Sequence, residues 1–397
     1  MKTSHAFFSR CDIRLLRGAL HRLLLLILAA SWLAGCQTVP GKPSSEAKRA
    51  TYTQVSWDKL PTSSDAEWLA GFTAWRAGCA KLGKDPVWSE SCAAAADLPM
   101  TAANIRQFLS AHMDVFAVST DKQADGLITG YYEPVYPGSR KRSASTDVPI
   151  YGVPSDLVRV ELDSVFPDLK RKRLRGRIVH DADGHLVLKP YDDAASIADR
   201  GVDAPVLAWL KDPMDLQFLQ IQGSGRVSMP DGQELRVGYA DQNGYPYRPV
   251  GRWLIEQKAL KAADVSMQSI RAWAVAHPDR VRELLASNPS YVFFKQKPAS
   301  DAGPEGSLGV PLTGGYSVAI DPRAVPLGSL LWLATTLPNG EALARPVAAQ
   351  DTGGAIVGNV RADMFFGTGH AAGELAGAMK QPGRLWLLWP KGKPLPQ

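Results

Sequence analysis

Gln350-Asp351-Thr352-Gly353-Gly354-Ala355-Ile356, followed shortly by Arg361-Ala362-Asp363-Met364-Phe365-Phe366-Gly367, places two acids in surroundings that a solvated carboxylate seldom has. Each is flanked by apolar or glycine-rich sequence. Glycines beside Asp351 let backbone or substrate come close. A carboxylate next to Phe365 and Phe366 and facing a second carboxylate has its protonated form favoured by desolvation and like charge. A general acid working near neutral pH requires that condition. A third acid, in Asp321-Pro322, closes a strand-like run and reads as a structural Asx-turn. For Asp351 and Asp363 the residues alone leave a hydrogen-bonded strand end and a catalytic pair equally open.

Outward from these acids, the last hundred residues are strand-rich. Tyr316 to Ile320, Leu330 to Ala334, Pro346 to Ala349 and Leu385 to Trp389 are short apolar runs, interrupted by one helix at about 371–380. Upstream, Trp68, Phe72, Trp75 and Cys79 recur at four-three-four spacing, one face of an amphipathic helix. A second helix starts at a Thr101 N-cap and buries Ile105, Phe108 and Leu109. From Gly126 short strands take over. Asp181-Ala182-Asp183-Gly184 and Pro230-Asp231-Gly232 mark hairpins. Helices return at about 252–260, 266–276 and 279–286.

The amino terminus is a leader. Arg10, Arg14, Arg17 and Arg22 precede the apolar run Leu23 to Ala30, which is too short for a permanent span of about 20 residues. Leu33-Ala34-Gly35-Cys36 then resembles a bacterial lipobox, in which Cys36 is lipidated and becomes the new N-terminus. Gln37 follows, which in such lipoproteins resembles an address to the outer membrane. The leader carries +4 of the chain's +6 charge, so +2 remains on the mature part and nucleic acid drops out as a default partner. With Cys11 in the leader and Cys36 lipidated, Cys79 and Cys92 remain as one even pair in an oxidising compartment, which points to a disulfide.

Several chemistries find no support. There is no GxSxG nucleophile elbow, and Gly223-Ser224-Gly225-Arg226 lacks the lysine and spacing of a phosphate loop, although it suits a tight turn near a ligand. No CxxC or HExxH spacing suggests a metal site. The basic run Lys170-Arg171-Lys172-Arg173-Leu174-Arg175-Gly176-Arg177 reads either as a solvated strand edge or as a contact to an acidic polymer.

Ordered blocks then carry a family resemblance over nearly the whole mature length. They are Thr129 to Pro134 (TGYYEP), Phe218 to Val227 (FLQIQGSGRV), Val237 to Ala240 (VGYA), Asn243 to Tyr247 (NGYPY), Asn288 to Phe294 (NPSYVFF) and the terminal three-aspartate segment. Together they resemble the membrane-bound lytic murein transglycosylase A (MltA) family. The resemblance implies a mainly β fold with peripheral helices: a double-psi β-barrel-like domain plus an inserted second β-domain, with a large groove between them. Its boundaries would be a signal at 1–35, lipidated cysteine and tether at 36–63, barrel at 64–135 and 296–392, and insert at 136–295.

It further implies cleavage of the β-1,4 bond between N-acetylmuramic acid and N-acetylglucosamine in peptidoglycan, with 1,6-anhydro ends. Asp363 would be the acid/base and Asp351 its acidic neighbour. Tyr131, Tyr132, Gln222, Ser224, Arg226 and Tyr291 would line the sugar groove, and no metal or organic cofactor would be needed. Partners would be glycan strands, the outer membrane through the Cys36 lipid at its periplasmic face in a Gram-negative cell, and cell-wall synthesis or division proteins. A hydrolase using the two acids as a pair, a non-catalytic glycan-binding lipoprotein and a metal-binding role for the aspartates stay open at this point.

Overall fold

Leu330-Leu331-Trp332-Leu333 is apolar at every position, the pattern of a strand covered on both faces. In the computed structural model, which describes residues 50–121, 123–169 and 172–396, this run lies within the largest sheet and is fully buried. The lipobox with Cys36, Cys11, and Lys170 and Arg171 of the basic run lie outside the described residues.

In chain order, β1 (Thr51–Val55) leads to α1 (Asp65–Leu82), α2 (Ser89–Ala96), α3 (Ala102–His112), β2 (Met113–Ser119) and β3 (Gly126–Glu133). Next come β4 (Val135–Ser139), β5 (Val148–Tyr151), β6 (Val158–Arg159), β7 (Arg175–His180), β8 (Leu186–Pro190), α4 (Ala194–Arg200) and β9 (Val206–Leu210). They are followed by α5 (Pro213–Gln222), β10 (Ser224–Ser228), β11 (Glu234–Gln242), α6 (Val250–Glu256), α7 (Met267–Ala276), α8 (Val281–Ala286) and β12 (Val292–Lys297). The chain ends with β13 (Ser317–Ile320), β14 (Leu330–Thr336), β15 (Ala342–Thr352), β16 (Arg361–Thr368), α9 (His370–Ala378) and β17 (Lys380–Pro390).

Strand β17 closes a barrel. Its first part pairs antiparallel with β3, from Lys380↔Thr129 to Gly383↔Gly126, while its later residues pair with β14 and β2. The order β17-β14-β15-β13-β16-β3 therefore returns to β17, a ring of six strands that leaves no free edge, with β2 and β1 extending the sheet outside it. Two pairs in the ring, β13 with β15 and β16 with β3, are parallel. Each needs a crossover, supplied by β14 for the first and by most of the chain for the second.

Helix α1 covers one side of this barrel because Trp68, Phe72, Trp75 and Leu82 share a face and are all buried. Each such side chain contributes about 2–3 kcal/mol by leaving water. The Trp68 ring packs against Trp332 of β14, centroids 4.6 Å apart and planes tilted by 50°. A Cβ on Gly71 would sit 2.2 Å from the Pro346 carbonyl, so only glycine lets α1 approach β15 this closely. Thr101 caps α3 as expected, its hydroxyl accepting from Asn104 N at 3.2 Å. Cys79 of α1 and Cys92 of α2 form a disulfide with Cα atoms 5.4 Å apart. Replacing Cys92 with serine should lower unfolding free energy by about 3 kcal/mol, the closure entropy of a loop this short. Urea denaturation reads that loss, and a change below about 1 kcal/mol would show the bridge to be dispensable.

After Glu133 the chain leaves the barrel, to which it returns at Ser317. The intervening strands form a six-stranded sheet, β12-β11-β10-β4-β9-β5, and a small β6-β7-β8 sheet. Phe218 and Leu219 of α5, Leu254 of α6, Trp273 of α7 and Leu284 of α8 join Val227, Leu235 and Val237 in a second core. Both anticipated hairpins are present, as β7–β8 and β10–β11. Helices α2, α4 and α5 were not anticipated. Among the described residues, no helix is long and apolar enough to cross a membrane.

Candidate active site

The two acids of the opening stretch meet across one strand. Ala319 of β13 is paired with Asp351 of β15 on one side and with Asp363 of β16 on the other. Paired residues share a face of the sheet, so both acids project the same way, two strand spacings or about 10 Å apart at Cα. Only the methyl of Ala319 stands between them. The parallel pairing of β16 with β3 adds Thr129 opposite Asp363 and Tyr131 opposite Phe365 to this face.

Hydrogen bonds give the two acids different roles. Asp351 accepts from the Tyr131 hydroxyl at 2.9 Å, the Ser307 amide and hydroxyl at 2.9 and 2.8 Å, and its neighbour Thr352 N at 2.8 Å. Every one of these contacts aims a donor at the carboxylate, which makes it an acceptor. Asp363 accepts one short bond, 2.5 Å from the Thr129 hydroxyl. Arg361 Nη2 in turn donates to that Thr129 oxygen at 2.8 Å. A guanidinium can only donate, so the single hydroxyl proton of Thr129 is directed at Asp363 Oδ1. A proton carried by Asp363 therefore sits on Oδ2.

Burial pushes the Asp363 carboxyl above its ordinary range. The Thr129 bond and Arg361 pull it back and Asp351 pushes it up again, and the net direction is upward. Tyr131 stays a phenol: burial, then the Asp351 charge, raises it well above the ordinary tyrosine value. Its ring also lies 5.3 Å from that of Phe365, which makes the wall beside Asp363 apolar.

The adjoining residues connect the barrel to the second lobe. Tyr132 N donates to Gln222 Oε1 at 3.2 Å, at the end of α5. Gly223 next to it is left-handed at φ 75° and caps that helix, so the chain turns there, while Ser224 to Arg226 of the expected turn already belong to strand β10. Glu133, only 1% exposed, accepts from Arg226 Nε at 2.9 Å and from Thr368 Oγ1 at 2.8 Å, and lies 3.6 Å from Arg236. A buried charge cluster thus fixes β3 and β16 of the barrel against β10 and β11.

A family model described as the MltA specific insert domain matches residues 127–295, and one described as the 3D domain matches residues 316–389. Membrane-bound lytic murein transglycosylase A of Escherichia coli K12 is 35% identical over 294 residues, 72% of this chain and 71% of that protein. The chain belongs to the MltA family. The crystal structure of MltA from Neisseria gonorrhoeae superposes with a TM-score of 0.77 at 36% identity, covering 88% of this chain and 95% of the other. Escherichia coli MltA with bound chitohexaose superposes with a TM-score of 0.65 at 29% identity, covering 88% and 98%. The six-stranded barrel with a second β-sheet lobe is thus the MltA fold.

Within this MltA fold the expected site residues separate into two groups. Asp351, Asp363 and Tyr131 come together, and Tyr132 and Gln222 adjoin them at the junction of the lobes. Ser224 begins β10 just beyond, paired with Gly238. Arg226 and Tyr291 are placed otherwise. Arg226 spends its guanidinium on Glu133, Glu234 and the Ala302 carbonyl, and Tyr291 is buried among Tyr151, Tyr191 and Phe293. Both hold structure here instead of facing a groove. Asp321 is likewise engaged, by Arg323 and the Gly358 amide. Burial alone would raise it, but bonds from Arg323 and Gly358 N hold its carboxyl below the ordinary value.

Thr129, Arg361 and Ser307 were missed as site residues. A signal for the first two existed in the sequence, since Thr129 opens the TGYYEP block and Arg361 lies two residues from Asp363 on a strand. Asp181, Asp183 and His185 also converge, but at an exposed hairpin turn that Asp181 closes through bonds from the Asp183 and His185 amides.

Proposed function

We propose that this lytic murein transglycosylase cleaves the β-1,4 bond between N-acetylmuramic acid and N-acetylglucosamine, with Asp363 as acid and then base. One observation supports this above the others: of two acids on one face, the one with a raised pKa has an oxygen free to carry a proton, while its partner only accepts. The Oδ2 proton passes to the glycosidic oxygen as the bond from that oxygen to the muramoyl C1 breaks. The resulting carboxylate takes the proton of the muramoyl C6 hydroxyl as its oxygen bonds to C1. The anhydro ring closes, Asp363 is again protonated, and water is not consumed. Holding the C6 hydroxyl against C1 makes the second step intramolecular, where effective concentrations reach about 10⁵ M or more. Asp351 sustains the proton on Asp363 through its negative charge and holds Tyr131 in place.

Glycan binding follows from the MltA relative that holds chitohexaose. Tyr131, Tyr132, Gln222 and Ser224 are the residues proposed to line the groove, with residues 64–135 and 296–392 as the catalytic lobe and 136–295 as the insert. Lipidation of Cys36 is proposed to hold the protein at the periplasmic face of the outer membrane, in keeping with the membrane-bound designation of the relatives. Mass spectrometry of fragments released from purified sacculi tests the reaction. Anhydro ends are expected throughout, about 18 Da lighter than the ends a water-activating pair would leave. Ordinary reducing ends would overturn the proposal and favour the hydrolase.

A further inference from the structure

The basic run has a role in the structure that its sequence left undecided. Arg175 Nε donates to Asp241 Oδ1 at 2.8 Å, and Arg159 Nε donates to Asp241 Oδ2 at 2.7 Å. Arg173 lies over the Tyr239 ring at 5.7 Å. Two guanidinium groups thus hold one acid that is only 2% exposed, a third lies against the neighbouring Tyr239 ring, and Glu161 is the further acid whose field reaches Arg159. One arginine would have sufficed to neutralise Asp241. The arrangement instead leaves positive charge facing outward: the Arg159 side chain is 59% exposed, and Arg173 is exposed with no ion pair to any described residue. Because Arg159 reaches Asp241 through Nε, its outer Nη edge remains available, the edge that grips a carboxylate in a bidentate manner.

Hydrogen bonds link this cluster to the strand that carries Tyr131 and Tyr132. Tyr239 N donates to the Gly223 carbonyl at 2.6 Å, and Gln222, the preceding residue, accepts from Tyr132 N. A glycan strand beside Tyr131 and Tyr132 carries a lactyl-linked peptide stem on each muramoyl residue. A peptide extends about 3.3–3.6 Å per residue, so a stem of three residues spans about 10 Å from its sugar.

We propose that Arg159, Arg173 and Arg175 around Tyr239 form a subsite for the carboxylates of the peptide stem, so that the enzyme favours glycan bearing stems over bare glycan. The proposal rests on the transglycosylase reading above. Arg175, mostly buried, sets the position of Asp241, while Arg159 and Arg173 meet the ligand.

The test uses the full chain, with Arg159→Gln, Arg173→Gln and the double variant, on sacculi with intact stems and on the same sacculi stripped by an amidase. The double variant should lose about tenfold in apparent kcat/KM on intact sacculi at low salt, the product of two partly exposed ion pairs, and the gap should close as salt rises. On stripped glycan it should match the wild type, with an unchanged melting temperature. Equal loss on both substrates would assign the cluster to structure, and no loss on either would overturn the subsite. Reduced binding to vesicles containing phosphatidylglycerol, with both sacculus rates intact, would assign the charge to lipid headgroups and overturn it likewise. Failure of the wild type to release anhydro fragments from either substrate would sink the transglycosylase reading, and the subsite with it.

Discussion

Asp363→Asn should lose about 10²–10⁴-fold in turnover, the usual worth of a positioned general acid, while still binding glycan. Asparagine keeps the Thr129 contact and the shape of the site but has no proton to give. Retention of more than about a hundredth of wild-type turnover would refute the assignment. The same variant carries a stability signature of definite sign. Because the carboxyl is raised in the folded protein, the native state holds this proton more tightly than the unfolded chain. Wild-type stability therefore falls as pH rises from the ordinary carboxylate value through the raised one, and the full stabilisation is present only below the ordinary value. Asparagine does not titrate, so the variant should be the more stable protein above that window. Denaturant midpoints on either side of it measure the difference.

Glu133→Ala should be among the most destabilising single changes in the molecule, costing about 3–5 kcal/mol. The energy comes less from the ion pair itself than from what its loss leaves behind. Arg226 and Arg236 are each buried, and without Glu133 their charge has no counterion among the described residues beyond the partly exposed Glu234. Arg226 and Arg236 also donate to the Ala302 and Gly303 carbonyls, so the segment leading back to the barrel depends on the same cluster. Since the cluster joins β3 and β16 to β10 and β11, the variant should also unfold in two steps, the lobes having lost part of their coupling. Urea denaturation followed by tryptophan fluorescence checks both points. A loss under about 1 kcal/mol with one unchanged transition would show the cluster to be a minor contributor.

The elements that sequence reading located are those whose signal is local. Trp68, Phe72 and Trp75 mark α1 because helical spacing needs no knowledge of the partner surface, and the Thr101 cap lies beside the helix it starts. Helix α2 escaped notice because Ser89–Ala96 is mostly alanine and small polar residues, with no bulky stripe to show a period. Helix α5 has a readable start, Asp212 before Pro213, but Leu216-Gln217-Phe218 and Leu219-Gln220-Ile221-Gln222 alternate apolar and polar as a strand does. The closure of the barrel was not legible, since Thr129 and Lys380 pair across some 250 residues and no local pattern records that.

The site was legible to the same degree. Apolar and glycine neighbours mark Asp351 and Asp363 as candidates without deciding between a strand end and an acid pair. Thr129 lies 234 residues from Asp363, and Ser307 lies 44 from Asp351, so neither could be placed beside its acid by spacing. Arg226 and Tyr291 illustrate the opposite limit. An arginine or tyrosine in a strand-rich block suits a sugar groove and a core equally well, and only the position of Glu133 and of the Tyr151–Tyr191–Phe293 cluster decides between them.

One measurement bears most directly on the proton at Asp363: the alkaline limb of kcat/KM against pH for the wild type and for Thr129→Val. The Thr129 hydroxyl stabilises the ionised carboxylate, so removing it should raise the Asp363 pKa further and carry the limb to higher pH, with valine preserving the shape. A limb that stays in place or moves to lower pH would mean that another group supplies the proton.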